Sequence, residues 1–144
     1  GLNAAGMAAA DIFLEVLALA RASGGHARTF VGRAGTGDLV ATALAPTSRN
    51  RSAGELLAEG VPAEEIPARI GQAVEALETV RLLAHAIERQ RLEAPVVSAL
   101  ARLIEGSMPL DEWIALVRAK QPAPARFSRP STWWARLRAW FRRR

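Results

Sequence analysis

The chain of 144 residues contains no cysteine and no tyrosine, a single lysine, Lys120, and two histidines, His26 and His85. Without cysteine there is neither a disulfide framework nor a thiolate metal centre. Two histidines far apart in sequence are too few for a structural zinc, so no metal site is expected. A lone lysine leaves chemistry that depends on a neutralisable amine with almost no candidate. The apolar runs are broken by Asp11, Glu15, Arg81 and Glu88, short of the roughly 20 uninterrupted residues of a spanning helix. No charged-then-apolar leader opens the sequence. Its first residue is Gly1, which points to a truncated or processed chain. A reducing, cytoplasmic setting fits these absences.

What is present is one domain's worth of apolar sequence. Half of the residues are hydrophobic, and a chain of this length buries roughly two-thirds of the surface its unfolded form exposes. Charge is distributed unevenly. Residues 1–120 carry 12 Lys and Arg against 14 Asp and Glu, whereas residues 121–144 carry seven Arg and no acid. The net charge of +5 is therefore a property of the tail, and the chain divides into a domain over 1–120 and a basic extension over 121–144.

Periodicity over the first part is helical throughout. From Ala4 to Ser23, Ile12, Leu14, Val16, Leu17 and Leu19 recur at helical spacing, and Gly24-Gly25 supplies a stop. Gly32, Gly35 and Gly37 predict a mobile or tightly turned connection into a short segment, Asp38 to Leu44, closed by Pro46. A helix is expected over Arg49 to Glu59, with Ser48 as its N-cap and Gly60 beyond its end. After the connection "VPAEEIPARIG", Gln72 to Arg91 reads as a long amphipathic helix, with Val74, Leu77, Val80 or Arg81, and Ala84 along one face. Pro95 to Glu105 and Pro109 to Lys120 each open with a proline suited to a first helical turn. No window alternates with period two for long enough to make a strand. The fold class is all-α, a multi-helix bundle.

The stretch "GTGDLVATALAPTSRNRSAGELL", Gly35 to Leu57, concentrates polar groups in an otherwise Ala, Leu and Arg background. Asp38 and Thr42 lie four residues apart in a helical turn and share a face, a pair suited to a hydroxylated ligand. Ser48, Arg49 and Asn50 lie at a helix start, where free N–H groups and the dipole favour an anion. An arginine there can hold a phosphate through two bonds. Together they suit a small phosphorylated polyol. Spacing leaves a second reading open, in which Asp38 and Ser48 only cap helices and the arginines are solvated.

This stretch also carries a family resemblance. "FVGRAGTGDLVATALAPTSRNRSAGELLAEG", Phe30 to Gly60, resembles the characteristic segment of the C-terminal, substrate-binding domain of bacterial-type NAD(P)-dependent glycerol-3-phosphate dehydrogenases. The similarity runs back to "GLN" at the start and forward through "IGQAVEALETV" to "LIEGSMPLDEWIALV". It implies a helical domain of the kind found at the C-terminus of 6-phosphogluconate dehydrogenase, and a dihydroxyacetone phosphate/glycerol 3-phosphate oxidoreductase that supplies phospholipid precursors. By this resemblance Asp38, Thr42, Ser48, Arg49 and Asn50 contact substrate, while Arg49, Ala73 and Glu75 meet NAD or NADP. Ala5 stands where the family usually has Lys or Arg, and Ala76 where it has Gly. The resemblance also implies an N-terminal Rossmann domain as partner and a catalytic lysine upstream of Ala5, so no catalytic residue is expected within this chain and the isolated 144 residues are expected to be inactive. The alternative is a stand-alone, non-catalytic remnant that binds a phosphorylated ligand or an anionic membrane. Oligomeric state stays open between monomer and homodimer.

The tail, "QPAPARFSRPSTWWARLRAWFRRR", opens as a proline-containing linker and ends in a segment where Trp133, Leu137, Trp140 and Phe141 would share one side of a helix. With Trp134 and the terminal Arg142 to Arg144 it suits an anionic membrane interface, consistent with a location peripheral to the inner membrane. A disordered extension and a polyanion binder are the competing readings, with nucleic acid the least favoured. Outside these stretches, His26, His85 and the pair Glu64 and Glu65 read as ordinary surface or packing groups, and Trp113 as a core anchor.

Overall fold

The computed structural model describes residues 2–119, and among these every regular element is helical. We number the α-helices α1 (Leu2–Ala22), α2 (Ala27–Val31), α3 (Asp38–Leu44), α4 (Arg49–Ala58), α5 (Ile66–Ile70), α6 (Glu75–Arg89), α7 (Pro95–Ile104) and α8 (Leu110–Ala119), with a π-helical turn over Arg33–Gly37 leading into α3. The readings of the tail, including Trp133, Trp134, Trp140 and the terminal arginines, lie outside the described residues.

The helix α7 is the hub. Its sequence "PVVSALARLI" buries Val96, Val97, Ala99, Ala101 and Ile104, and these side chains reach three separate clusters. Ile104 joins Ala53, Ala63, Ile66, Val74 and Leu77 from α4 to α6. Val97 meets Leu19 of α1 and Ile87 of α6, and Val96 meets Ala8 of α1 and Val117 of α8. A fully buried Val or Ile contributes about 1.5–3 kcal/mol, so a helix facing three ways needs apolar residues on most of its circumference. Proline at its first turn costs nothing, because the amide it lacks would have no intrahelical partner.

The start of α7 is finished by a distant residue. Ala94, its N-cap, offers no side-chain acceptor. Glu15, buried on α1, fills that role: its Oε1 accepts the Val96 amide at 3.2 Å and its Oε2 the Val97 amide at 2.8 Å. The carboxylate lies where the helix dipole favours negative charge. The same turn is also held by Trp113 of α8, whose Nε1 donates to the Val96 carbonyl at 3.3 Å, consistent with the core-anchor reading. By length and composition α1 is apolar enough to cross a membrane over Asn3–Ala22, more than its broken apolar run suggested. Its buried Glu15 and its packing on α6, α7 and α8 give it a place in the bundle.

Three local expectations change. The glycine connection is helical: α2 and the π-helical turn occupy it. The stretch "VPAEEIPARIG" contains α5, with Pro67 in its first turn and Gly71 as its left-handed C-cap at φ +74°. The long second helix starts at Glu75, because Gln72 to Val74 are needed for the turn out of α5; Val74 is extended, at φ −117° and ψ 91°.

Candidate functional site

The predicted residues fall on three short elements. The first is α3, which starts at Asp38 immediately after the π-helical turn. Gly35 makes that turn feasible, because a Cβ there would collide with the Phe30 carbonyl. Phe30 is in turn held by Phe13 of α1, with ring centroids 4.6 Å apart and planes inclined at 44°. The Gly-rich spacing therefore serves to seat Asp38 at the head of a helix. Asp38 is exposed and Thr42, one turn on, is half-buried, so the two oxygen-bearing side chains lie along one helix stripe.

The second element is the start of α4. Ser48 is its N-cap, in extended conformation, and its Oγ accepts the Arg51 amide at 3.4 Å. Arg49 and Asn50 follow in the first turn, both exposed. Arg51 points along the helix to Glu55, with Nε to Oε1 3.0 Å. The two elements are in contact, joined by a turn in which the Ser48 amide donates to the Ala45 carbonyl at 3.2 Å. Among the described residues no side-chain hydrogen bond links Asp38 or Thr42 to Ser48, Arg49 or Asn50. Asp38, Arg49 and Asn50 are exposed, and Thr42 and Ser48 half-buried.

The third element is the turn from α5 into α6, which carries Ala73 and Glu75. Here the structure brings together two residues that are distant in sequence: Arg49 Nη1 donates to the Ala73 carbonyl at 3.2 Å. Glu75 opens α6 with its side chain exposed, and its backbone carbonyl accepts the Thr79 hydroxyl at 2.9 Å. The Arg49 guanidinium thus rests on a backbone carbonyl two residues before an exposed carboxylate. These donors and acceptors suit the phosphates and hydroxyls of a nucleotide.

An apolar cleft of about 760 Å³ reaches the start of α4 at Asn50 and Arg51. It is lined by Ala4, Ala8 and Ile12 of α1, by Phe30 and Leu39, by Trp113 and Val117 of α8, and at its polar rim by Asn50 and Arg51. Nothing in the sequence marks this cleft, since its walls are ordinary apolar residues contributed by five separate helices.

With this geometry in place, residues 1–115 match the family model described as NAD-dependent glycerol-3-phosphate dehydrogenase C-terminus. The chain belongs to this family. Similar proteins include the glycerol-3-phosphate dehydrogenase [NAD(P)+] of Leuconostoc mesenteroides, 34% identical over 101 residues, which are 70% of this chain and 30% of that protein. That of Cupriavidus pinatubonensis is 38% identical over 112 residues, 77% of this chain and 32% of the relative. That of Variovorax paradoxus is 32% identical over 124 residues, 86% of this chain and 37% of the relative. The chain thus spans about a third of the length of the curated relatives it matches. No solved structure matches it. The family assignment and the all-helical architecture agree with the sequence expectation, and the matched region contains all three site elements.

Proposed function

We propose that this chain forms the substrate-binding part of an NAD(P)-dependent glycerol-3-phosphate dehydrogenase, acting on dihydroxyacetone phosphate and glycerol 3-phosphate. The observation that carries the reading is the family match over 1–115, which embraces Asp38, Thr42, Ser48, Arg49, Asn50, Ala73 and Glu75 together. In this reading Arg49 grips the substrate phosphate with the N–H groups it does not give to Ala73, assisted by the dipole of α4. Ser48 and Asn50 add hydrogen bonds at the same helix start. Asp38 accepts a hydrogen bond from a substrate hydroxyl and Thr42 orients a second. Glu75 and the Ala73 backbone meet the dinucleotide from the α6 side. NAD or NADP, when bound, supplies or takes the hydride. The chain's own residues hold the carbinol end of the substrate beside it, and the acid/base lysine and the Rossmann domain belong to a partner segment upstream.

The test joins residues 1–144 to the N-terminal two-thirds of the Cupriavidus enzyme and follows oxidation of NADH or NADPH with dihydroxyacetone phosphate. Turnover that falls at least about a hundredfold on Arg49→Ala supports the reading, since charge-assisted phosphate bonds contribute about 1.5–3 kcal/mol each. A joined protein that binds glycerol 3-phosphate but never turns over favours the non-catalytic remnant instead.

The tail adds a finer reading: Trp133, Trp134, Trp140 and Arg142 to Arg144 bring a cytoplasmic protein to an anionic membrane. Co-sedimentation with phosphatidylglycerol vesicles, lost when residues 131–144 are deleted, checks it. A homodimer is read out by sedimentation velocity on the same preparation.

A further inference from the structure

We propose that the turn over Gly71 to Val74 is a positioning device for Arg49, tying anion capture at the start of α4 to the dinucleotide-facing start of α6. This deepens the proposed function and rests on it.

Two successive contacts define the device. Ala53, one turn beyond Arg49 on α4, lies in the same buried cluster as Val74 and Leu77. Arg49, on the same stripe of that helix, gives Nη1 to the carbonyl of Ala73. The turn is thus tied to α4 by a shared apolar cluster and by a hydrogen bond. Its path is set by Gly71, which sits at φ +74° and ψ 13°, and by the Gln72 amide, which donates to the Pro67 carbonyl at 3.2 Å. A Cβ at Gly71 would meet nothing within 4 Å. Its requirement for glycine is therefore conformational and not steric.

The consequence for binding follows from the shape of guanidinium. It is a planar fork, so one edge can rest on a carbonyl while another presents parallel N–H groups to a phosphate. An exposed arginine otherwise surrenders rotamer freedom on capturing an anion, and the Ala73 carbonyl restricts that freedom beforehand. Glu75 follows Ala73 by two residues, so a phosphate on the free edge of the guanidinium alters the hydrogen bond to the peptide that leads into the dinucleotide-facing carboxylate. Lysine, with a single ammonium at the end of a flexible stem, cannot serve both partners in the same way.

The experiment titrates the joined protein described above, ¹⁵N-labelled, with glycerol 3-phosphate and follows Arg49 Nε and the amides of Ala73, Val74 and Glu75 by NMR. The expected result is a common Kd reported by all four signals. Gly71→Ala should weaken that Kd about fivefold through the cost of a left-handed alanine. Gly71→Asn, which tolerates that conformation, should stay within about twofold. A purely structural C-cap would lower Tm in Gly71→Ala without moving the Arg49 resonance or the Kd, and that outcome overturns the proposal. Movement of Arg49 with Ala73 to Glu75 unperturbed overturns it too, while leaving the anion site intact. No movement of Arg49 at millimolar ligand removes the underlying reading along with it. Should Gly71→Ala fail to fold, Arg49→Lys at ligand concentrations that saturate it decides: Ala73 to Glu75 amides that still shift sink the device, and amides that no longer shift while ligand is bound support it.

Discussion

Glu15 Oε2 accepts the backbone amide of Val97 at 2.8 Å, across 82 residues of sequence. With Oε1 on the Val96 amide, one carboxylate closes the first turn of the hub helix from outside. The geometry makes Glu15 a structural residue of the first rank. In Glu15→Leu both amides lose their acceptor, which should lower stability by about 2–4 kcal/mol. Glu15→Gln should lose less, because its carbonyl oxygen still accepts one amide. Thermal unfolding by circular dichroism checks both, and a Glu15→Leu chain that melts within about a degree of the parent would refute the assignment.

Two glycines near the site should respond in opposite directions. Gly35→Ala drives a Cβ onto the Phe30 carbonyl and should destabilise the chain by about 1–3 kcal/mol, as overpacking does. Gly54, inside α4, has open space around it, so Gly54→Ala should stabilise by roughly 0.5–1 kcal/mol through helix propensity. Denaturant midpoints of the two variants measure the contrast.

Arg51 and Glu55 are more than half exposed or nearly so, with side-chain accessibilities of 50% and 61%. An i,i+4 pair in that setting contributes at most about 0.5 kcal/mol. Arg51→Ala should therefore leave the urea midpoint almost unchanged, and whatever difference exists should fade as salt rises. A loss above about 1 kcal/mol would show that Arg51 acts through its place on the cleft rim instead.

Trp113 bridges α8 to the start of α7. Replacing it by Phe keeps an aromatic ring but removes the donor to the Val96 carbonyl, at an expected cost of about 0.5–1.5 kcal/mol. Hydrogen exchange at the first turn of α7 should rise in the same variant. Exchange that stays at the parent rate there would mean that the ring alone holds α8 in place.

The elements that the sequence makes legible are those whose signals are local. Ser48 before Arg49, Pro95 before a run of valines and Gly106 after Ile104 each punctuate a helix within a few residues. The helix α5 is hidden because it is short and carries Pro67, so its residues resemble a loop. The start of α6 is displaced by the apolar residues Ala73 and Val74, which continue the helical period while adopting turn and extended geometry. Within the candidate site, the pairing of Asp38 with Thr42 and the cap at Ser48 follow from spacing alone. The Arg49 to Ala73 bond does not, because it depends on how α5 folds the chain back over 24 residues. For the same reason Glu15 reads as one more charge interrupting an apolar helix, although it closes another.

From α2 through α3, which includes the seat of Asp38 and Thr42, no side chain is buried. Segments with so little packing open at small free-energy cost. Amides there should exchange with solvent sooner than those of α7, and a molecule that grips Asp38 must first freeze the backbone beneath it. Part of its intrinsic affinity is consumed by that ordering, so anything that stiffens the Phe13 and Phe30 contact would tighten binding without touching the ligand.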